Sequence, residues 1–143
     1  MADDDTESLA DAVLLTVVGC LESHGADAAE IEKVWSDNAQ MWFVEVRPHR
    51  TGAASVSVIV DGDELLLSFG KSRTEIWRGD IPPVERLRMF LDAIFAGDFE
   101  EAGLGNDRFV RGRLPSGRTF RCGSMHLPIP WVLRRKTRYL PYS

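Results

Sequence analysis

A chain of 143 residues with 44% hydrophobic and 27% charged side chains has the make-up of one ordinary globular domain. It is long enough to bury roughly two thirds of its unfolded surface, and the composition excludes a globally disordered chain. The charge is divided by position: residues 1–107 carry all 22 acidic side chains and 8 of the 17 Lys and Arg, a net −14, while residues 108–143 carry the other 9 basic side chains and no acid, a net +9. The formal total of −5 hides two segments of opposite sign. Fields of this kind steer encounters and select partners; they do not specify a reaction.

Residues 1–5 read as a disordered acidic tip, followed by one α+β domain over 6–143 with a basic C-terminal segment at 108–143. The first helix is expected from Glu7 to Ser23. Leu9, Ala10, Val13, Leu14, Val17, Val18, Cys20 and Leu21 fill an arc of roughly 180° on a helical wheel, wide enough for deep packing on a sheet. This apolar-rich stretch is too short to span a bilayer and is broken by Asp11, Thr16 and Gly19. Asp3, Asp4, Asp5 and Glu7 precede it where a signal peptide needs basic residues, so a cytoplasmic location is expected. His24 and Gly25 end the helix, Gly25 suiting a left-handed terminal position.

Asp27-Ala28-Ala29-Glu30 has the spacing of a capping box, which predicts a short second helix to Trp35. Alternation then predicts strands over Gln40–Arg47, Ser55–Val60 and Glu64–Phe69, the last two joined at an Asp61-Gly62 hairpin. A further strand is expected near Thr74–Arg78. Asp80-Ile81-Pro82-Pro83 opens a helix to about Ala96, with Val84, Leu87, Leu91, Ile94 and Phe95 on one face. Residues 98–107 read as a loop or hinge. Arg108–Leu114 and Arg118–Cys122 flank Pro115-Ser116-Gly117 as a second hairpin. The expected architecture is α+β: one antiparallel sheet of about five or six strands with two longer helices packed on it. Leu14, Val17, Leu21, Leu87, Leu91 and Ile94 are its expected helical core, against Val58, Val60, Leu65 and Leu67.

Motifs for chemistry are weak. Gly70-Lys71-Ser72 resembles the end of a phosphate-binding loop, but the first glycine of that motif is replaced by Leu65. Asp61, Asp63 and Glu64 do not follow calcium-loop spacing, with Gly62 in second place instead of sixth. Cys122 and His126 stand about 13 Å apart if the chain between them is extended, too far for a thiol–imidazole pair. His24 and His49 lack any zinc-ligand spacing. Asp98, Glu100 and Glu101 are close in sequence and read most simply as a solvated loop. No cofactor and no metal is expected. Two cysteines without a secretory signal fit a reducing compartment. An excess of Arg over Lys, 14 to 3, reports a GC-rich coding sequence of the kind common in bacteria.

The basic C-terminal segment is the best functional lead. Arg108, Arg111, Arg113, Arg118 and Arg121 lie on the second hairpin, with Arg111 and Arg113 on one face. Arg134, Arg135, Lys136 and Arg138 follow, interleaved with Trp131, Tyr139 and Tyr142. Arginine and aromatic side chains are common anchors at protein interfaces. The residues expected to touch a partner are Arg111, Arg113, Trp131, Arg134, Arg135 and Tyr139. The preferred reading is a non-catalytic protein-binding module: an adaptor, a chaperone-like factor or a neutralising inhibitor of a basic partner. Basic and aromatic residues together also grip phosphates and stack bases, so a nucleic-acid-binding protein is the alternative. An enzyme with an unrecognised site is a further one. A structural explanation competes with all three: the arginines neutralise the acidic body on folding. The segment is expected to fold back on that body.

Overall fold

The structure is a computed structural model and describes residues 4–70, 72–76, 82–104, 107–123 and 136–143. It is α+β, with two helices and two antiparallel sheets in place of the single sheet expected. Helix α1 spans Asp4–His24, so Asp4 and Asp5 of the expected acidic tip are helical. Strands β1 (Ala29–Ser36), β2 (Met41–Pro48), β3 (Val56–Asp61), β4 (Glu64–Phe69) and β5 (Ser72–Ile76) form a five-stranded meander in chain order. Helix α2 (Pro83–Phe95) follows. Strands β6 (Phe99–Leu104), β7 (Asp107–Arg113), β8 (Thr119–Gly123) and β9 (Lys136–Arg138) form the second sheet in the order β8-β7-β6-β9.

Two expectations fail here. Residues 29–36 are strand, not helix. The run Ala29-Glu30-Ile31-Glu32-Lys33-Val34-Trp35 alternates in burial and pairs along its whole length with β2, Ala29 opposite Pro48 through Ser36 opposite Met41. The β-branched Ile31 and Val34 suit that pleated surface, and sheet pairing overrides the local capping pattern. Residues 99–104, read as loop, form β6 between β7 and β9. Glu101 is 1% exposed, so the adjacent acids that suggested a solvated turn alternate between an inner and an outer face.

The inner face of the first sheet is apolar. Val44, Val46, Val56, Val58, Val60, Leu65, Leu67 and Phe69 are all buried. Helix α1 packs on β1–β3 and α2 on β4 and β5. From the helices Val13, Val17, Leu21, Leu87, Leu91 and Ile94 are buried, while Leu14 lies only partly buried at the margin. Lys33 ties β1 to α1 through Asp11 at 2.6 Å, with its ammonium 4.6 Å from the Trp42 ring centroid. At the other end His24 Nε2 lies 3.3 Å from Asp92 Oδ1, joining the two helices.

The second sheet adds Phe99, Val110 and Phe120 to the same core cluster. Phe99 meets Phe69 edge-on at 5.5 Å, and Phe120 meets Phe90 edge-on at 5.1 Å. Gly112 allows this approach: a Cβ there would lie 2.6 Å from the Phe120 ring and from the Asp98 carbonyl oxygen.

The described end of the basic segment is folded back. Beyond β9, Leu140 N–H donates to the Gly52 carbonyl at 2.9 Å and Tyr142 N–H to the Phe95 carbonyl at 2.9 Å. Tyr142 is 2% exposed. Its ring packs 4.5 Å from that of Phe95, and its hydroxyl donates to the Ala54 carbonyl. Ser143 Oγ donates to the His24 carbonyl. Leu140 is 43% exposed, so among the described residues the tyrosines make the buried contacts of this docking. No described helix is long and apolar enough to cross a membrane.

Candidate functional site: an arginine face on the second sheet

Residues paired directly across an antiparallel ladder point to the same side of the sheet. Glu100 on β6 is opposite Arg111 on β7, Arg111 is opposite Arg121 on β8, and Glu100 is also opposite Arg138 on β9. One row of side chains therefore crosses all four strands as Arg121–Arg111–Glu100–Arg138. Arg113, two residues from Arg111 and opposite Thr119, extends the same face. The other face carries Phe99, Glu101, Val110 and Phe120, all buried. Alternation thus separates a core side from an arginine side within the same strands.

The arginine side is concave. A cleft of about 540 Å³ is lined by Asp98, Glu100, the four arginines 111, 113, 121 and 138, and Thr119. Arg111 Nε donates to Glu100 Oε1 at 2.7 Å, a pair whose side chains are 45% and 23% exposed. Arg113, Arg121 and Arg138 are exposed and have no ion pair among the described residues. Four guanidinium groups and two carboxylates share the cleft, so it is positive and open to solvent. Among the described residues, an ion pair to the acidic body is seen for Arg111.

Arg111 directly opposite Arg121 is unfavourable for folding, because like charges facing each other across a ladder repel. A site that breaks a local rule of stability is where function is to be sought.

The structure brings together two of the expected partner-binding residues, Arg111 and Arg113. Tyr139 is placed elsewhere. Its ring stacks on Phe99 at 5.1 Å with an interplanar angle of 18°, and its hydroxyl donates to Glu101 Oε1 at 2.9 Å. It is half-buried on the core side. Trp131, Arg134 and Arg135 lie outside the described residues, as does His126; the Cys122 side chain lies outside them too. Arg121 and Arg138 belong to the basic stretch but are not among the residues that the sequence predicts to touch a partner. The signal for Arg121 is in the sequence: a hairpin turning at Pro115-Ser116-Gly117, centred on Ser116, sets Arg121 opposite Arg111. Arg138 joins only because β9 pairs with β6 across a long connection.

Among the described residues no three His, Cys, Asp or Glu side chains gather as metal ligands would. Cys20 is buried between the helices, and burial, reinforced by the Asp92 charge, pushes its thiol up to about 12. It is a packed thiol and not a nucleophile. Gly70 takes φ 59° at the end of β4 with the Tyr139 side chain against it, and Lys71 lies outside the described residues. Comparison with protein-family models, with curated proteins and with solved structures finds no match.

Proposed function

We propose that this protein is a non-catalytic protein-binding module whose arginine face takes an acidic segment of a partner protein. One observation carries the reading: Arg111 and Arg121 stand opposed on neighbouring strands, with Arg113 and Arg138 beside them, around an open cleft. Guanidinium groups form bidentate bonds with carboxylates, so a surface of four suits Asp and Glu side chains spaced along a strand or loop. Partner carboxylates would relieve the Arg111–Arg121 repulsion, which makes binding and folding energetics point the same way.

The same cationic surface would also attract nucleic acid. The reading turns on the aromatics. Single-stranded nucleic acid is gripped by stacking bases on exposed rings, and the two tyrosines of the basic segment that are described are committed to the core, Tyr139 against Phe99 and Tyr142 against Phe95. That favours carboxylates over bases.

The test is direct titration of the full chain with a fluorescent Asp/Glu-rich peptide and, separately, with single- and double-stranded oligonucleotides. Peptide binding that weakens with salt and is lost on combining Arg113→Gln with Arg121→Gln is expected. Tighter binding of an oligonucleotide through the same arginines would transfer the site to the nucleic-acid class. Binding of neither at low salt would remove the proposal.

A further inference from the structure

The outer face of the first sheet differs from the helix-covered inner one in a way the arginine face does not explain. Val34 on β1 is opposite Phe43 on β2, Phe43 is opposite Ile59 on β3, and Ile59 is opposite Leu66 on β4. These four apolar side chains form one continuous row across four strands. None belongs to the core cluster: Val34 is 37% exposed and the other three are half-buried. An antiparallel sheet that shows one face to water normally places polar residues there. A contiguous apolar row instead marks an interaction surface.

Two residues along the strands, the row is flanked by Glu32, Glu45, Ser57 and Ser68 on one side and by Ser36, Met41, Asp61 and Glu64 on the other, so each flank carries one pair of acids. Glu32 faces Glu45 on one flank, and Asp61 faces Glu64 on the other. Arg47, farther out, donates to Glu32 at 2.6 Å and to Glu45 at 3.1 Å. Asp61 and Glu64 are exposed and have no ion pair among the described residues. The face is therefore an apolar stripe between two negative margins, opposite in sign to the arginine face.

Dimensions select the occupant. Two residues of strand span about 6.7 Å, so the acidic margins stand about 13 Å apart, and three interstrand spacings make the row about 14 Å long. An α-helix with its side chains is about 10–12 Å wide, and three turns are about 16 Å long. We infer that the outer face of the first sheet docks a basic amphipathic helix of a partner protein. About three turns would lie along the Val34–Phe43–Ile59–Leu66 row, with apolar residues at i, i+3 or i+4 and i+7 against it. Lysines or arginines on the helix flanks would reach Asp61 and Glu64 on one side and Glu32 and Glu45 on the other. An acidic or uniformly polar helix fails on charge or on the stripe.

The probe is a labelled peptide of about fourteen residues, built of leucine and lysine in that pattern and followed by fluorescence anisotropy with the full chain. Two controls go with it: a scrambled peptide of the same composition and a leucine–glutamate peptide of the same pattern. Saturable binding of the patterned basic peptide is expected, at least about tenfold tighter than either control. Ile59→Thr with Leu66→Thr should weaken it about tenfold. Threonine keeps strand propensity, and a thermal melt checks that the variant folds. Asp61→Asn with Glu64→Gln removes charge without removing packing. It should weaken binding about threefold and flatten its salt dependence. Arg113→Gln on the other sheet should leave binding unchanged.

Equal binding of the scrambled peptide, or binding indifferent to both pairs of substitutions, would overturn the inference. So would a wild-type protein that self-associates and becomes monomeric in the Ile59→Thr, Leu66→Thr variant, because the face would then belong to a second copy of the chain.

Discussion

The Tyr142 hydroxyl donates to the Ala54 carbonyl oxygen at 2.5 Å across 88 residues of chain. This bond fastens the end of the basic segment to the loop between β2 and β3, beside the end of α2. Because β9 lies just upstream, it also helps hold Arg138 on the arginine face.

Tyr142→Phe keeps the ring contact with Phe95 but leaves the buried Ala54 carbonyl without this donor, a loss of about 1–3 kcal/mol. Tyr142→Ala removes the ring as well and should cost about 3–5 kcal/mol. Urea titration measures both. Trypsin provides a local readout: cleavage after Arg138 should accelerate in Tyr142→Ala under native conditions. Unchanged cleavage would mean that the segment is held by other contacts.

Gly97 ends α2 at φ 71°, its N–H donating to the Ile94 carbonyl while Asp98 N–H donates to that of Ala93. This is the left-handed helix terminus that glycine suits. The same glycine makes room for the tail, since a Cβ would lie 2.6 Å from the Pro141 nitrogen. Gly97→Ala should therefore cost more than the roughly 1–2 kcal/mol of left-handed strain alone. Gly117, at φ 88° with open space around it, isolates that strain. Gly97→Ala should destabilise the protein more than Gly117→Ala in the same titration; equal losses would show that the tail yields without cost.

Most of the elements are legible in the sequence wherever one residue pattern has one reading. The β3–β4 hairpin follows from alternation and from Asp61-Gly62, and α2 from its leading prolines and the terminal Gly97. The errors arise where a pattern has two readings. Ile31, Val34 and Trp35 fit a helical arc as well as a strand, and only the partner strand β2 decides between them. Glu100-Glu101 looks solvated because nothing local shows that Tyr139, 38 residues later, supplies Glu101 with a buried donor. The arginine face is half legible for the same reason. Arg111 and Arg113 follow from strand period, whereas Arg138 enters through a non-local pairing.

Stability should fall in alkali. Burial raises the Cys20 thiol from 9.0 to about 12 and raises the Tyr142 phenol as well. Above about pH 9 the unfolded chain releases protons that the native state retains, so the native state is progressively disfavoured. The contribution is complete below pH 9 and is lost as pH rises between about 9 and 12 for Cys20. Urea midpoints should be level on this account up to about pH 8.5 and decline beyond it. Cys20→Ala should remove the first part of the decline. Native Cys20 should also resist alkylation at pH 8 by at least about tenfold relative to the unfolded chain. Rapid native labelling would show that the thiol is neither buried nor raised.

Glu100 is the one carboxylate in the row Arg121–Arg111–Glu100–Arg138, directly opposite both Arg111 and Arg138. It restrains the face it belongs to, because Arg111 already donates to it at 2.7 Å. Glu100→Gln keeps the shape and an acceptor while removing the charge. The face becomes more positive and an incoming carboxylate no longer competes with Glu100. Folding should suffer slightly, since partly exposed ion pairs contribute about 0–1 kcal/mol. Binding of an acidic peptide should strengthen about threefold to tenfold, with a steeper dependence on salt. Opposite signs in the two measurements are the signature of a surface kept for binding at some expense of stability. If Glu100→Gln weakens binding as well as folding, Glu100 positions Arg111 for the ligand. If binding does not change at all, the acidic segment does not use this row, and the proposed arginine site is wrong.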